Sequence, residues 1–163
     1  MKAINNFPQI FDKFVNHPSF VGTFAGNMIK QFKLVENDSK LLHHPSQLLI
    51  SYKVPKEICN FHQSVHGGAF ATLLDISTTV AILRVDKGLR KSVTTDLSQS
   101  NLKPAFAGDE LQILCDVSRI GKNLAFSECK MFVNYEPVLS GTHTKFMFAD
   151  PWDPEFLKIT QQN

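Results

Sequence analysis

The chain has 163 residues, 43% of them hydrophobic, and 17 basic against 15 acidic side chains leave a formal charge of +2. That length fits one domain able to bury about two-thirds of its unfolded surface, and the balanced charge supplies no basic field for a nucleic acid. Cys59, Cys115 and Cys129, with no C-x-x-C, fit neither a disulfide framework nor a structural zinc site, so a reducing compartment is expected. In chain order, MKAINNFPQIFDKFVNH has no secretory core; with Lys2, Lys13, Asp12 and no Arg it is also a poor mitochondrial presequence. The expected location is the cytoplasm or the mitochondrial matrix, not the exterior. Ile10, Phe11, Phe14 and Val15 stand at helical spacing, which predicts a helix over 7–17 that His17-Pro18 ends. Residues 28–36 alternate and predict a strand, followed by a turn at NDSK and a second strand over 46–54 stopped by Pro55.

Next comes a long apolar segment from Gly67 to Arg84, which reads as a helix. Its apolar run is shorter than a membrane span and is interrupted by Asp75, so no transmembrane segment is expected. Four strands follow, over 92–103, 110–120, 124–133 and 138–149, linked by short turns and therefore antiparallel. The tail from residue 150 shows no period. The expected organisation is a helical extension over 1–27, a folded domain over 28–149 and a tail over 150–163. A helix apolar on every side must be buried, and an antiparallel sheet of about six strands can do this by curling around it. This α+β arrangement is the hot-dog fold.

Two features of the helix point to chemistry. Gly67 and Gly68 leave the backbone open at its start, where unpaired amides and the positive end of the dipole stabilise a carbonyl oxygen gaining charge. The plainer reading is a tight bend under a crowded sheet. Asp75 is the one charged side chain between Gly67 and Leu83. No Lys or Arg lies one turn away; the neighbours are Ala71, Thr72, Thr78 and Thr79. A carboxylate in such a place is either satisfied by those threonines or solvent, or functional. Asp75 lies eight residues past Gly67, roughly 12 Å along a helix axis. One helix cannot bring both groups to one carbonyl, whereas two antiparallel helices across a two-fold axis can. If both act, the protein is a homodimer with two composite sites.

The segment CNFHQSVHGGAFATLLD resembles the helix-start motif of hot-dog thioesterases of the phenylacetate-degradation type, and within them the acyl-coenzyme A thioesterase 13 group. SVTTDLS, NLKPAFAGDEL, IGKNLAF and GTHTKF extend the resemblance, in order, over residues 28–149. It implies hydrolysis of an acyl-CoA thioester by a homodimer, assembled as a dimer of dimers, with coenzyme A as part of the substrate and no separate cofactor. It also implies roles. Asn60 lies near the thioester, the Gly67 N–H polarises its carbonyl, Asp75 of the partner chain activates water or attacks directly, and Thr94 orients that water. Coenzyme A is held by Asn101, Leu102, Lys103, Pro104, Ala105 and Phe106, and by Arg119, Ile120, Gly121, Lys122, Asn123 and Leu124. The family often carries a Gly between the Asn and HGG, where this chain has FHQSV.

Other readings are weaker. His66 could be a general base, but a structural role at the helix start, beside Gly68, is the simpler assignment. His62, His66 and Asp75 do not make a metal site, because Asp75 stands about two turns from His66. Cys59 has no His–Asp arrangement around it to make it a nucleophile. The alternative to an enzyme is a hot-dog module that binds acyl groups or acyl-CoA without turnover. A hydratase would carry D-x-N-x-x-H-x-D, which is absent.

Overall fold

Residues 1–160 are described by a computed structural model of the chain. Helix α1 (Phe7–Val15) begins with Pro8 in its first turn and buries Phe7, Ile10, Phe11, Phe14 and Val15, the face that the spacing predicts. The predicted strand over 28–36 is corrected. Residues Gly26–Ile29 form a short helix, α2, and only Lys33–Val35 form strand β1. The alternation was misleading because Met28 and Ile29 are adjacent yet both buried, which a helical turn allows and a strand facing one core does not.

Strand β2 (Leu48–Lys53) leads to helix α3 (Gly67–Val85), then to β3 (Arg90–Asn101), β4 (Glu110–Ile120), β5 (Leu124–Val133) and β6 (Glu136–Pro151). All six strands form one antiparallel sheet in the order β1-β2-β4-β5-β6-β3. The β5–β6 connection is a two-residue hairpin with Asn134 at φ 51° and Tyr135 at φ 65°, the left-handed pair whose twist suits such a turn. The tail is also corrected: Pro154–Thr160 form helix α4, which buries Phe156 and Ile159 and packs near α1. Residues 161–163 of the expected tail lie outside the described residues.

Helix α3 lies against the sheet and buries Phe70, Leu73, Leu74, Ile76, Val80, Ala81, Ile82 and Leu83. By length and composition it is apolar enough to cross a membrane, contrary to the expectation drawn from Asp75, but burial inside the fold accounts for 61% of its most apolar stretch. Gly141 on β6 permits the close approach. A Cβ there would stand 2.2 Å from Leu74 Cδ1 and 2.6 Å from the Ser98 carbonyl oxygen. One stripe of α3 stays uncovered, with Gly68 exposed and Thr72, Asp75 and Thr79 half-buried along it. The strands at the two edges of the sheet differ greatly in length, three residues in β1 and twelve in β3.

Candidate active site

The site begins where the loop before α3 is locked. The Asn60 side chain accepts from the backbone N–H of His62 at 2.9 Å and of Ser64 at 3.3 Å, and its amide nitrogen donates to Ser64 Oγ at 3.0 Å. Asn60 therefore shapes the turn, and Gln63 within it adopts φ 63°. That is the left-handed region glycine favours, so FHQSV makes the turn without one. His66 is the N-cap of α3: its Nδ1 accepts the Gly68 N–H at 3.0 Å, the structural role expected of it.

The two glycines divide in meaning. A Cβ at Gly68 would press on the His66 ring at 3.2 Å, so the cap explains this glycine. A Cβ at Gly67 would meet only Asn101 Nδ2, at an ordinary 3.5 Å. No crowding among the described residues demands a glycine there, which removes the plainer reading for this position. The Gly67 N–H has no acceptor among the described residues. Its carbonyl accepts from Gln99 Nε2 at 3.1 Å, which ties the first turn of α3 to β3.

Asp75 is not without a cation, as its own helix suggested. Lys145 on β6 places Nζ 3.3 Å from Asp75 Oδ1 and 2.9 Å from Thr79 Oγ1. Thr94 on β3 donates to the same Oδ1 at 3.2 Å. His143, 1% exposed, bridges Thr78 Oγ1 at 2.6 Å through Nδ1 and Thr94 Oγ1 at 3.0 Å through Nε2. Thr78 Oγ1 also lies 2.6 Å from the Leu74 carbonyl oxygen, so either tautomer of the ring leaves one threonine proton shared between two acceptors: Leu74 O and Nδ1 at Thr78, or Nε2 and Asp75 Oδ1 at Thr94. Burial, and then the charge of Lys145, push the His143 pKa down to about 4, so the ring is neutral near pH 7. Burial also lowers the pKa of Lys145, while Asp75 works against that shift and favours the ammonium.

A bulge in β3 assembles this group. Thr94 pairs with Lys145, but the register slips at Thr95, so Asp96 pairs with Thr144 and Leu97 with His143. Thr94 and Leu97, three apart, thus face the same side as Lys145 and His143, two apart. His143 and Lys145 were missed in the sequence, although a signal existed. Both stand on the buried phase of GTHTKFM with Met147, where polar residues are exceptional.

The two segments assigned to coenzyme A are not brought together within the chain. Asn101–Phe106 follows the end of β3 beside Gly67, whereas the Gly121 and Lys122 carbonyls accept from Arg90, at the start of β3. Twelve residues of strand put roughly 35 Å between those ends. Lys103 is engaged by Glu136 at 2.9 Å, an exposed pair of little energetic weight, and Ala105 is buried. The Cys59 thiol is pushed up in pKa, chiefly by burial, which disfavours a thiolate nucleophile. An open pocket of about 500 Å³ lies beside the helix start, lined by residues that include Phe24, Met28, Ile58, Cys59 and Ala69.

This fold and these segments have relatives. The model of the thioesterase superfamily matches residues 62–136. Human acyl-coenzyme A thioesterase 13 is 30% identical over 105 residues, which are 63% of this chain and 74% of that protein. The chain belongs to the thioesterase superfamily. Thioesterase superfamily member 2 from zebrafish superposes with a TM-score of 0.72 at 23% identity, covering 91% of this chain and all of that one (100%). The Escherichia coli PaaI protein from the phenylacetic acid degradation operon gives 0.67 at 18% identity, over 87% and 96% of the two chains. A hypothetical thioesterase protein from Streptococcus pneumoniae, solved with coenzyme A, gives 0.64 at 18%, over 75% and 89%. Membership and superposition together establish the hot-dog thioesterase fold for this chain.

Proposed function

We propose that the protein is an acyl-CoA thioesterase whose active site is shared between two copies of the chain. The observation that carries this reading is the paired placement of Gly67 and Asp75. Gly67 offers an amide with no acceptor among the described residues, and Asp75 is a half-exposed carboxylate held from behind. They stand roughly 12 Å apart on one helix axis. A two-fold axis beside the uncovered stripe of α3 would set one chain's Gly67 opposite the other's Asp75. The same operation, pairing β3 with β3 in antiparallel fashion, would bring Asn101–Phe106 of one chain near Arg119–Leu124 of the other. Two separations that are awkward within one chain are thus resolved by one symmetry. The acyl-CoA chemistry is that of the relatives, since the curated one is named an acyl-coenzyme A thioesterase and structural neighbours were solved with coenzyme A or acetyl-CoA.

In this reading the thioester carbonyl oxygen accepts from the Gly67 N–H. Asp75 takes a proton from water, the hydroxide adds to the carbonyl carbon, and charge collects on the oxygen at the helix start. The tetrahedral intermediate collapses to the carboxylic acid and coenzyme A thiolate. That thiolate is a good leaving group and demands no strong general acid. The acyl group fits the pocket beside α2 and the helix start. Thr94 holds the carboxylate in place, and His143 holds Thr94.

The test is complementation between subunits. Asp75→Asn and Gly67→Val homodimers should each release coenzyme A at least about 10²-fold more slowly than wild type. Gly67→Val should still fold, because a Cβ there meets only the Asn101 side chain, at an ordinary contact distance of 3.5 Å. Mixing with subunit exchange pairs both lesions in one site and two intact halves in the other. Activity should return to about half of wild type per dimer. Verified heterodimers that stayed inactive, with both subunits folded by thermal melt, would place the catalytic groups within one chain. A wild-type protein that released no coenzyme A from a panel of acyl chain lengths would instead favour the acyl-binding module.

A further inference from the structure

Two donors converge on a single oxygen of Asp75, with the His143 ring beside them. Thr94 Oγ1 and Lys145 Nζ donate to Oδ1 at 3.2 and 3.3 Å, and His143 Nε2, engaged with Thr94, stands 3.5 Å from the same oxygen. Among the described residues no donor meets Oδ2, although 43% of the Asp75 side-chain surface is open. The carboxylate is therefore presented asymmetrically, with one oxygen held and the other facing outward. Lys145 sits behind it, 4% exposed, and is tied to the helix a second time through Thr79 Oγ1. An ammonium in that place fixes the carboxylate in position and angle.

We propose that Lys145 is a positioning residue for hydrolysis: by occupying Oδ1 of Asp75 from the buried side, it directs Oδ2 toward the water or the thioester. This rests on the thioesterase reading above and names a residue that acts through Asp75 without touching substrate. Geometry supplies the mechanism. The carboxylate can turn about its Cβ–Cγ bond, and each oxygen could in principle react. With Thr94 and Lys145 both bound to one oxygen, a quarter-turn would break two charge-assisted bonds and leave a buried ammonium facing no oxygen, while a half-turn only exchanges two equivalent oxygens and restores the same arrangement. The plane of the carboxylate and the direction of its outward oxygen are thereby fixed before substrate arrives, which is the preorganisation that lowers an activation barrier. Lys145 is supported in turn by its register, since it lies directly opposite Thr94 across β3 and β6 and the two reach the carboxylate from neighbouring strands.

The simpler alternative makes Asp75 merely the counter-ion of a buried lysine. The two roles separate experimentally. Lys145→Met removes the ammonium and keeps an unbranched apolar chain in a buried space; Asp75 remains half-exposed and keeps Thr94 as a donor, so the variant should fold and melt near wild type. Lys145→Ala leaves room for a small amine. Steady-state release of coenzyme A is measured for wild type, both variants, and the Ala variant with ethylammonium or tetramethylammonium. In Lys145→Met kcat should fall about 10²-fold while KM stays within about twofold, because the residue orients the reacting group and does not bind substrate. Ethylammonium should restore at least tenfold of the loss in Lys145→Ala, and tetramethylammonium, with no N–H to donate, should not. If a folded Lys145→Met keeps more than half of the wild-type kcat, the inference is wrong while the thioesterase reading stands. Equal rescue by both amines, or by neither in a folded Ala variant, also overturns it. A wild-type chain with no hydrolysis removes the thioesterase reading and this inference with it.

Discussion

His143 shows how a buried polar side chain makes the site dependent on pH. The ring is wedged between Thr78 of α3 and Thr94 of β3, with Lys145 beside it and the carboxylates of Asp75 and Asp96 as the opposing charges. Its pKa of about 4 in the folded chain lies below the ordinary 6.5. Between those values the unfolded chain holds the proton and the folded chain does not, so stability rises with pH across this window and falls on acidification. The gap corresponds to on the order of 3 kcal/mol, complete only below about pH 4. His143→Gln, which keeps a hydrogen-bonding amide but cannot titrate, should lose that part of the slope. Urea melts at pH 6.5, 5 and 4 would check this. Parallel slopes for the variant and wild type would show that other groups carry the acid sensitivity.

Helix α3 and strand β6 meet at one point of very close approach. Gly141 stands where a methyl group would overlap Leu74 Cδ1 and the Ser98 carbonyl. Leu74 can shift only against a packed interior, and the carbonyl belongs to the neighbouring strand. Gly141→Ala should therefore destabilise the fold by about 1–3 kcal/mol, read as a lower denaturant midpoint. It should also lower kcat, because His143 and Lys145 follow on the same strand and Asp75 follows Leu74 on the helix. A Gly141→Ala protein with unchanged stability and activity would mean that strand and helix can part without disturbing the site. The β3 bulge belongs to the same level of organisation. It is what lets Thr94 face Asp75 while the strand beyond it stays in register with β6.

The twelve-residue edge at β3 leaves a long row of backbone groups without a strand partner among the described residues, a row of the kind that a second copy can satisfy. Arg119 and Lys122, near its start, and Lys103, beyond its end, are candidates for the phosphates of one coenzyme A only if they come from different chains. Neutralising each to Ala should raise KM severalfold with little change in kcat, as expected for binding that is equal in ground and transition states. The effect should shrink with added salt. In mixed dimers Lys103→Ala and Lys122→Ala should fall on the same site when they reside on different chains, and leave the second site with a wild-type KM. Two sites of equal, intermediate KM would show that each coenzyme A is held by a single subunit.

Much of this was legible from local pattern. Strands β4 and β5 and the core face of α1 follow from alternation, helical spacing and turn residues, which act over a few neighbouring positions. The lone acidic residue in an apolar helix and the two glycines before it made that helix the candidate for the site on the same local grounds. What a linear reading did not contain is the meeting of distant strands. Lys145 is seventy residues from Asp75 in sequence, and only the β3–β6 pairing, shifted by its bulge, brings it within 3.3 Å. Residues 26–29 show the same limit on a small scale, because local alternation is weak where packing against the core chooses between a strand and a single helical turn. Composition and period select the elements, since they reflect which face each segment must bury. The partner of each charge is selected by sheet order and register, which depend on the whole chain at once.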